Sequence, residues 1–346
     1  MRVLQVGDIA RVSYHLTKFL QQNGVDARLL VNKFYQYPVQ PWIDQNPNIP
    51  VLKRALSFAK LISRYRGVDV YHGHGLASLL LFAAGKDYVA HLHGDDLLEV
   101  APSPTLMGKL LRQALRNACA ILVSTPNLLS YVERLGLNKS SPLFFLPNPV
   151  DVDVFRPAST TTALRERREF TIFHPAAFAG KKHNAELLHA VAHLSTKYDV
   201  LLYMTERIAK QEDRDLRDNL IRELGLTNIR WVRSLELDQM VQFYNTVDIV
   251  ADQFNPEPCI CLIALEAMAS QKPVIAGGSG YERFYAKGPP LFTGSNREEI
   301  AASLEFLFQH RTRWKEFGEE GRDWVTTHHG PSEVVSKLMD IYREVF

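Results

Sequence analysis

Cysteine is scarce in this 346-residue chain: Cys119, Cys259 and Cys261 are the only three, and no CxxC pair occurs. That excludes a disulfide framework and a ribbon-type metal centre, and it fits a reducing cytoplasm. Long apolar runs are missing too. The longest, Leu76 to Ala84, is broken by Ser78 and is far too short to cross a bilayer. MRVLQVGD enters a strand-like run directly, with no charged and then apolar leader, so no secretion signal is expected. The loop after that run, Gly7-Asp8-Ile9-Ala10-Arg11, lacks the GxGxxG of a dinucleotide fold, which argues against a nicotinamide cofactor. A single tight turn at Gly7 can still carry backbone amides toward a phosphate. No short internal repeat is present.

The remaining composition is that of a globular protein, 46% apolar and 23% charged, and long enough for two domains. Charge divides unevenly. Residues 1–150 carry 16 basic and 9 acidic side chains, a balance of +7, and residues 151–346 carry 24 and 29, a balance of −5. Two halves of opposite sign suggest domains with different partners, the basic one suited to an acidic surface; scattered surface charge gives the same totals. Nucleic acid lacks support, because no aromatic-basic interleaving or binding motif accompanies the charge.

Short Val/Ile/Leu-rich runs alternate with helical ones. Strands are expected at Arg2–Val6, Ala27–Val31, Val68–Tyr71, Tyr88–Leu92, Ala120–Val123 and Leu143–Leu146, with helices near 10–23, 52–66, 75–85, 105–117 and 127–135. Runs without strict alternation are those of parallel strands buried on both faces, and strand-helix-strand order implies right-handed crossovers. A Pro- and Ser/Thr-rich stretch, 147–169, then interrupts the rhythm. It restarts with strands at Phe170–His174, Asp199–Tyr203, Ile229–Val232, Asp248–Ala251 and Pro273–Ala276, and with helices near 183–196, 211–224, 236–245, 261–270 and 296–309. Residues 311–346 read as two helices. The expected fold is α/β, two doubly wound Rossmann-like parallel-sheet domains facing across a cleft, with ligands outside the carboxyl ends of the strands.

Four of those strand ends carry candidate groups. Beyond Gly7, Arg11 is placed to reach a phosphate. Strand Tyr88–Leu92 ends in His93-Gly94-Asp95-Asp96, with His91 and His93 on one face and His72 and His74 following the preceding strand. Four histidines invite a metal reading, but without clustered carboxylates or cysteines ordinary hydrogen-bonded histidines fit the pattern better, and no metal site is assigned. Lys181 and Lys182 stand before the helix at 183, where cations oppose the helix dipole unless an anion shares the site. The densest segment runs from Asp252 to Ala269. There Glu257 precedes a helix whose start, Cys261-Leu262, offers free amides, and Glu266 is an anomalous carboxylate in an apolar helix, expected to be buried and to bind something.

HGDD, LPNPVDVDVFRP, GKKHNAELLHA and EP…ALEAMASQKPVIA, in that order, resemble the family 4 retaining glycosyltransferases, which have the GT-B fold. The resemblance spans nearly the whole chain. It implies a metal-independent enzyme without a cofactor, moving a sugar from a UDP- or GDP-sugar to a glycan or lipid-linked acceptor. It further implies that Glu266 holds the ribose hydroxyls, Lys182 contacts the diphosphate and His93 faces the transferred sugar. Glu257 stands near the position of the family's first glutamate. The family usually has seven residues between its two glutamates, whereas eight separate Glu257 from Glu266 here and strict alignment puts Pro258 in the first place. The arginine five residues before the matched lysine is Ala177, with Lys181 as a substitute point charge. The glycine after that lysine is His183, and the usually glycine-rich first loop carries Arg11. Two alternatives follow from these departures: a nucleotide-sugar-binding protein with weak or no turnover, or a sugar-nucleotide epimerase on the same fold.

The expected organisation is an acceptor domain over 1–155, a linker at 156–169, a nucleotide-sugar domain over 170–325, and a helix at 326–346 returning to the first domain. Two cationic amphipathic segments, Leu52–Arg66 and Leu106–Ala118, fit either a peripheral contact with an anionic membrane face or a helix packed on its own sheet. The expected location is cytoplasmic.

Overall fold

A computed structural model describes residues 1–31, 57, 61–62, 65–158, 170–233 and 235–346. Most of the segment Leu52–Arg66, and residues 159–169 of the expected linker, lie outside the described residues. The chain divides into two compact units, one made of Met1–Pro149 with Pro331–Phe346 and the other of Val150–Gly330.

The first unit holds strands β1 (Arg2–Val6), β2 (Asp26–Leu30), β3 (Val70–His74), β4 (Tyr88–Leu92), β5 (Ala120–Val123) and β6 (Leu143–Phe145) in one parallel sheet, ordered β2-β1-β3-β4-β5-β6. Its helices are α1 (Val12–Gln22), α2 (Ala77–Ala83), α3 (Leu106–Arg116) and α4 (Asn127–Arg134). Every residue of β4 and β5 is buried, as runs without alternation require. Leu4, Val6, Tyr71, Ala90, Leu92, Ile121 and Val123 form one apolar face with Leu81, Leu111 and Leu128 from the helices.

The opposite face is polar near its centre. Register sets Gln5 beside His72 and His74 beside His91. Strand β3 therefore runs three residues further than the sequence suggests, to His74, and His72 and His74 lie within it rather than after it. Pairing with both neighbouring strands carries the ladder through Gly73.

The second unit repeats the architecture. Strands β7 (Phe170–His174), β8 (Val200–Thr205), β9 (Ile229–Val232), β10 (Ile249–Ala251), β11 (Val274–Ala276) and β12 (Phe292–Thr293) order as β12-β11-β10-β7-β8-β9, all parallel. Helices α5 (Asn184–Ser195), α6 (Gln211–Glu223), α7 (Leu237–Thr246), α8 (Leu262–Ala269), α9 (Arg297–Gln309) and α10 (Trp314–His329) belong to it. Residues 150–155 go with this unit. The Val150 N–H donates to the His329 carbonyl at 2.9 Å, and the Arg322 guanidinium reaches the carbonyls of Val152 and Phe155 at 3.0 Å each, as well as that of Ala269 at the end of α8. The cation thus caps a helix C-terminus and ties down the incoming chain.

The final helix, α11 (Pro331–Val345), buries Val334, Val335, Leu338, Ile341 and Tyr342, a stripe at helical spacing. It packs in the first unit against α1, and Tyr342 meets the polar face of the first sheet. Among the described residues no helix is long and apolar enough to cross a membrane.

Candidate active site

In the second unit two loops converge at the carboxyl ends of β7 and β10. The Phe254 N–H donates to the Lys182 carbonyl at 2.9 Å and joins them. Behind the first loop, buried His174 and Asn184 act as a strut. His174 Nδ1–H donates to the Ala251 carbonyl at 2.9 Å, Asn184 Nδ2 donates to His174 Nε2 at 2.8 Å, and Asn184 Oδ1 accepts from the Ala179 N–H at 2.9 Å. Burial pushes His174 down to about 4, so it stays neutral and this pattern persists at physiological pH. Neither residue stood out in the sequence, since a buried histidine and an asparagine near a helix start have no motif of their own.

Lys181 is exposed and Lys182 half-buried, in a 3₁₀ turn (Gly180–Lys182) just ahead of α5. His183 takes a left-handed backbone conformation, φ 55°. That explains the glycine usual at this place: the turn requires positive φ, which a side chain adopts at a cost of about 1 kcal/mol. Ala10 and Arg11 likewise have φ of 51° and 65°, where the first loop of the family carries glycines. The glycine-shaped backbone is kept at both loops although the glycines are not.

The second loop leads from β10 into α8. Asn255 Oδ1 accepts from the Glu257 N–H at 2.9 Å and sets the Pro-rich turn. Gly278 (φ 100°) approaches it so closely that a Cβ there would lie 2.7 Å from the Glu257 carbonyl. Cys261 stands at the N-cap of α8 without a side-chain capping bond of its own, while the Ala264 N–H in the first turn is met by the Asp252 carboxylate. Cys259 Sγ lies 3.8 Å from Cys261 Sγ and accepts from Gln253 Nε2 at 3.1 Å.

Glu266 differs from its sequence expectation. Its neighbours Ala264, Leu265, Ala267 and Met268 are buried, but Glu266 is itself half-exposed. One carboxylate oxygen accepts from the buried Tyr244 hydroxyl at 3.0 Å. An apolar helix has no polar side to mark where a carboxylate emerges, so sequence pattern could not show this. From Leu262 to Glu266 the helix rises about 6 Å, so one short helix offers amides at its tip and a carboxylate one turn on.

Asp252 is a member of this site that the sequence reading named only as the start of a segment. It is buried, and desolvation raises its carboxyl to about 6, offset by Lys182 and by backbone N–H groups of Gln253 and Ala264. The folded chain therefore binds this proton more tightly than the unfolded chain, where an aspartate titrates near about 3.9. The stability it contributes is complete below that value and is lost as pH rises through about 6. Asp252→Asn, which keeps an acceptor and removes the charge, is expected to raise stability at pH 7.5 by up to about 3 kcal/mol and to change little at pH 4. Thermal unfolding at both pH values checks this, and an equal gain at each would rule out the charge as its cause.

In the first unit the loop after β4 is set by Asp96, whose buried carboxylate accepts from the N–H groups of His93 (3.0 Å), Gly94 (2.9 Å) and Leu97 (2.8 Å). Burial raises this carboxyl and the three bonds counter the rise. His93 is half-buried and bonds His74 through Nε2···Nδ1 at 2.9 Å; His74 Nε2 contacts Gln5 Oε1 at 2.6 Å, and His72 Nδ1 contacts the Tyr342 hydroxyl at 2.6 Å. His91 lies beside His93 with ring centroids 4.3 Å apart and planes tilted by 36°, and neither of its ring nitrogens has a hydrogen-bond partner.

Ligand nitrogens of His72, His74 and His91 lie within 4.8 Å of one another. Two observations count against a chelate. Both His74 nitrogens are already engaged, and the His72 and His74 rings stack at 3°. Rings in parallel planes keep their lone pairs in those separate planes, whereas a tetrahedral ion needs them to converge on one point.

Arg11 caps α1 through its backbone in the left-handed region. Gly7, φ 78°, meets a packing need, since a Cβ there would lie 2.8 Å from that of Ala77 and 3.3 Å from the His74 carbonyl. A cavity of about 710 Å³ lined by Arg2, Lys18, Arg28 and Tyr65 opens at the other, amino ends of β1 and β2, away from the strand ends where such sheets bind ligands.

Two units, each a six-stranded parallel sheet with surrounding helices, are the architecture of the GT-B glycosyltransferases. Residues 9–154 match the family model described as Glycosyltransferase Family 4, and residues 161–324 match Glycosyl transferases group 1. The chain belongs to the family 4 glycosyltransferases, and it is an enzyme of the hexosyltransferase class, EC 2.4. Comparison with curated protein sequences finds no match. Among solved structures, it resembles the sucrose-phosphate synthase of Thermosynechococcus elongatus at TM-score 0.76 and 16% identity, covering 100% of this chain and 99% of that one. Anabaena HepE in complex with UDP-glucose aligns at TM-score 0.78 and 15% identity, over 99% and 100%. A glycosyltransferase from Rickettsia africae aligns at 0.74 and 17%, over 99% and 98%. These likenesses concern the fold.

Proposed function

We propose that the enzyme moves a hexose from a UDP- or GDP-sugar to a glycan or lipid-linked acceptor with retention of configuration, and without a metal ion. The observation that carries this reading is the local order along α8 and the loop tied to it: Lys182, the helix start at Cys261-Leu262, and Glu266 one turn on. A departing nucleoside diphosphate gains negative charge, which an ammonium and oriented amides can stabilise. A carboxylate accepts two hydrogen bonds from a ribose diol, and Tyr244 orients it from behind. In this reading Lys181 adds a peripheral charge, Arg11 and the Gly7 turn serve a phosphate, Glu257 contacts the sugar from the turn set by Asn255, and His93 faces the transferred sugar.

The basic first unit suits an acceptor held at an anionic membrane. Leu106, Met107 and Leu110 stand out on α3 at 73%, 46% and 44% exposure, beside exposed Lys109 and Arg116. An apolar ridge flanked by cations is the surface that seats in a headgroup layer, each cation adding about 1 kcal/mol near anionic lipid.

The test is a thermal-shift panel of UDP, GDP, ADP and their sugar conjugates. A ligand at a hundred times its dissociation constant adds about 2.7 kcal/mol to the native state. The expected result is stabilisation by one uridine or guanosine diphosphate and by its conjugate, followed by transfer to product with the donor's anomeric configuration when an acceptor is supplied. Inversion would refute retention; interconversion of donors with no acceptor would favour the epimerase. Co-flotation with phosphatidylglycerol vesicles but not with phosphatidylcholine vesicles, lost in Leu106→Ser/Leu110→Ser, checks the membrane surface.

A further inference from the structure

The buried polar contacts of the first unit form a chain whose direction can be worked out atom by atom. Gln5 Oε1 can only accept, so its 2.6 Å contact with His74 is an Nε2–H donated by the histidine. Burial, reinforced by the neighbouring imidazoles, holds His74 well below its ordinary range; it is neutral and has a lone pair on Nδ1. That lone pair accepts the Nε2–H of His93 at 2.9 Å. His93 is itself held down to about 3 by burial, so it carries one proton and its Nδ1 is bare. At the other end Gln5 Nε2 donates to the Tyr342 hydroxyl at 3.1 Å, and that hydroxyl donates to His72 Nδ1 at 2.6 Å. Three segments remote in sequence (β1, the β3–β4 region and α11) set the proton position on one half-exposed ring.

We infer that Gln5, His74 and Tyr342 are positioning residues that fix His93 as its Nε2–H tautomer, leaving Nδ1 as an acceptor for a hydroxyl of the transferred sugar. The sugar contact rests on the donor chemistry proposed above, whereas the tautomer does not. A neutral acceptor at His93 recognises a hydroxyl by taking its proton into a hydrogen bond. It cannot act there as an acid or as a cation competing for phosphate. Gln5 sets the polarity: with its amide turned over, every bond as far as His93 would reverse.

Long-range proton–nitrogen spectra of the histidine-labelled full chain, with His93 assigned by difference from His93→Gln, read the tautomer directly. Protonated Nε2 and bare Nδ1 at both His74 and His93 are expected; an Nδ1–H at His93 overturns the inference, and this needs no variant of the network. Kinetics supply the second reading. His74→Leu is expected to lower kcat on the order of tenfold or more, by letting the ring turn, with nucleoside diphosphate affinity unchanged. His74→Gln, whose amide offers an acceptor to His93 and a donor to Gln5, is expected to restore most of the loss. Wild-type kcat in His74→Leu, or no rescue by His74→Gln, overturns the positioning role. A wild-type chain with the expected tautomer that turns over no donor would overturn the sugar contact and the proposed function together, leaving the wiring as a stability device.

Discussion

Glu266→Ala is expected to weaken nucleoside diphosphate binding by about a hundredfold, the loss of two charge-assisted hydrogen bonds at about 1.5 kcal/mol each. Glu266 is half-buried beside the apolar layer of α8, so its removal costs less packing than that of a core residue. It does strand the buried Tyr244 hydroxyl, which costs about 1–3 kcal/mol. Glu266→Gln separates the two effects. The amide oxygen still accepts from Tyr244, so stability should recover while affinity stays depressed by about tenfold. Calorimetric titration beside thermal unfolding checks both. Undiminished affinity in Glu266→Ala would remove the ribose from this side chain.

Lys182→Ala is expected to act on turnover instead. The charge on the leaving diphosphate grows in the transition state, so kcat should fall by about a hundredfold to a thousandfold while nucleoside affinity falls by about tenfold or less. Lys182 also offsets the desolvation of Asp252. Without the lysine, the aspartate's titration moves further up, and the pH profile of the residual activity should shift upward with it. Equal losses in binding and kcat would argue that Lys182 holds the ground state only.

Strands buried on both faces were the easiest elements to read. β1, β4, β5 and β7 run over the residues expected, because a run of apolar side chains has one comfortable place in a doubly wound sheet; β9 also falls where expected, although it is an edge strand with two of its four residues exposed. β12 escaped notice, being two residues long with one of them exposed. β3 was displaced because Tyr71-His72-Gly73-His74 does not look like a strand until its neighbours supply the ladder. Of the residues proposed for the site, Lys182 and Glu266 show in the sequence as charges at odd places in helical or apolar patterns. What could not be read were partners distant in sequence. Gln5 meets Tyr342 across 337 residues, and Tyr244 meets Glu266 from another helix. A hydrogen bond between buried side chains leaves no periodicity behind. The positive φ at Ala10, Arg11 and His183 was hidden for a related reason: the residues that normally announce such backbone are absent, and only the torsion angles reveal that the shape persists.

The membership of α11 in the first unit bears on how the protein is made. Residues 331–345 are translated only after the 181 residues of Val150–Gly330. At about 5–20 residues per second, about 10–35 seconds separate the completion of the first sheet from the arrival of its covering helix. During that interval the nascent sheet presents Gln5 and the ring of His72 without Tyr342, and α1 lacks the helix that packs against it. The unit would therefore spend its early life with one side of its sheet uncovered. The hydrogen-bond chain from Tyr342 through Gln5 to His74 and His93 would close last of all.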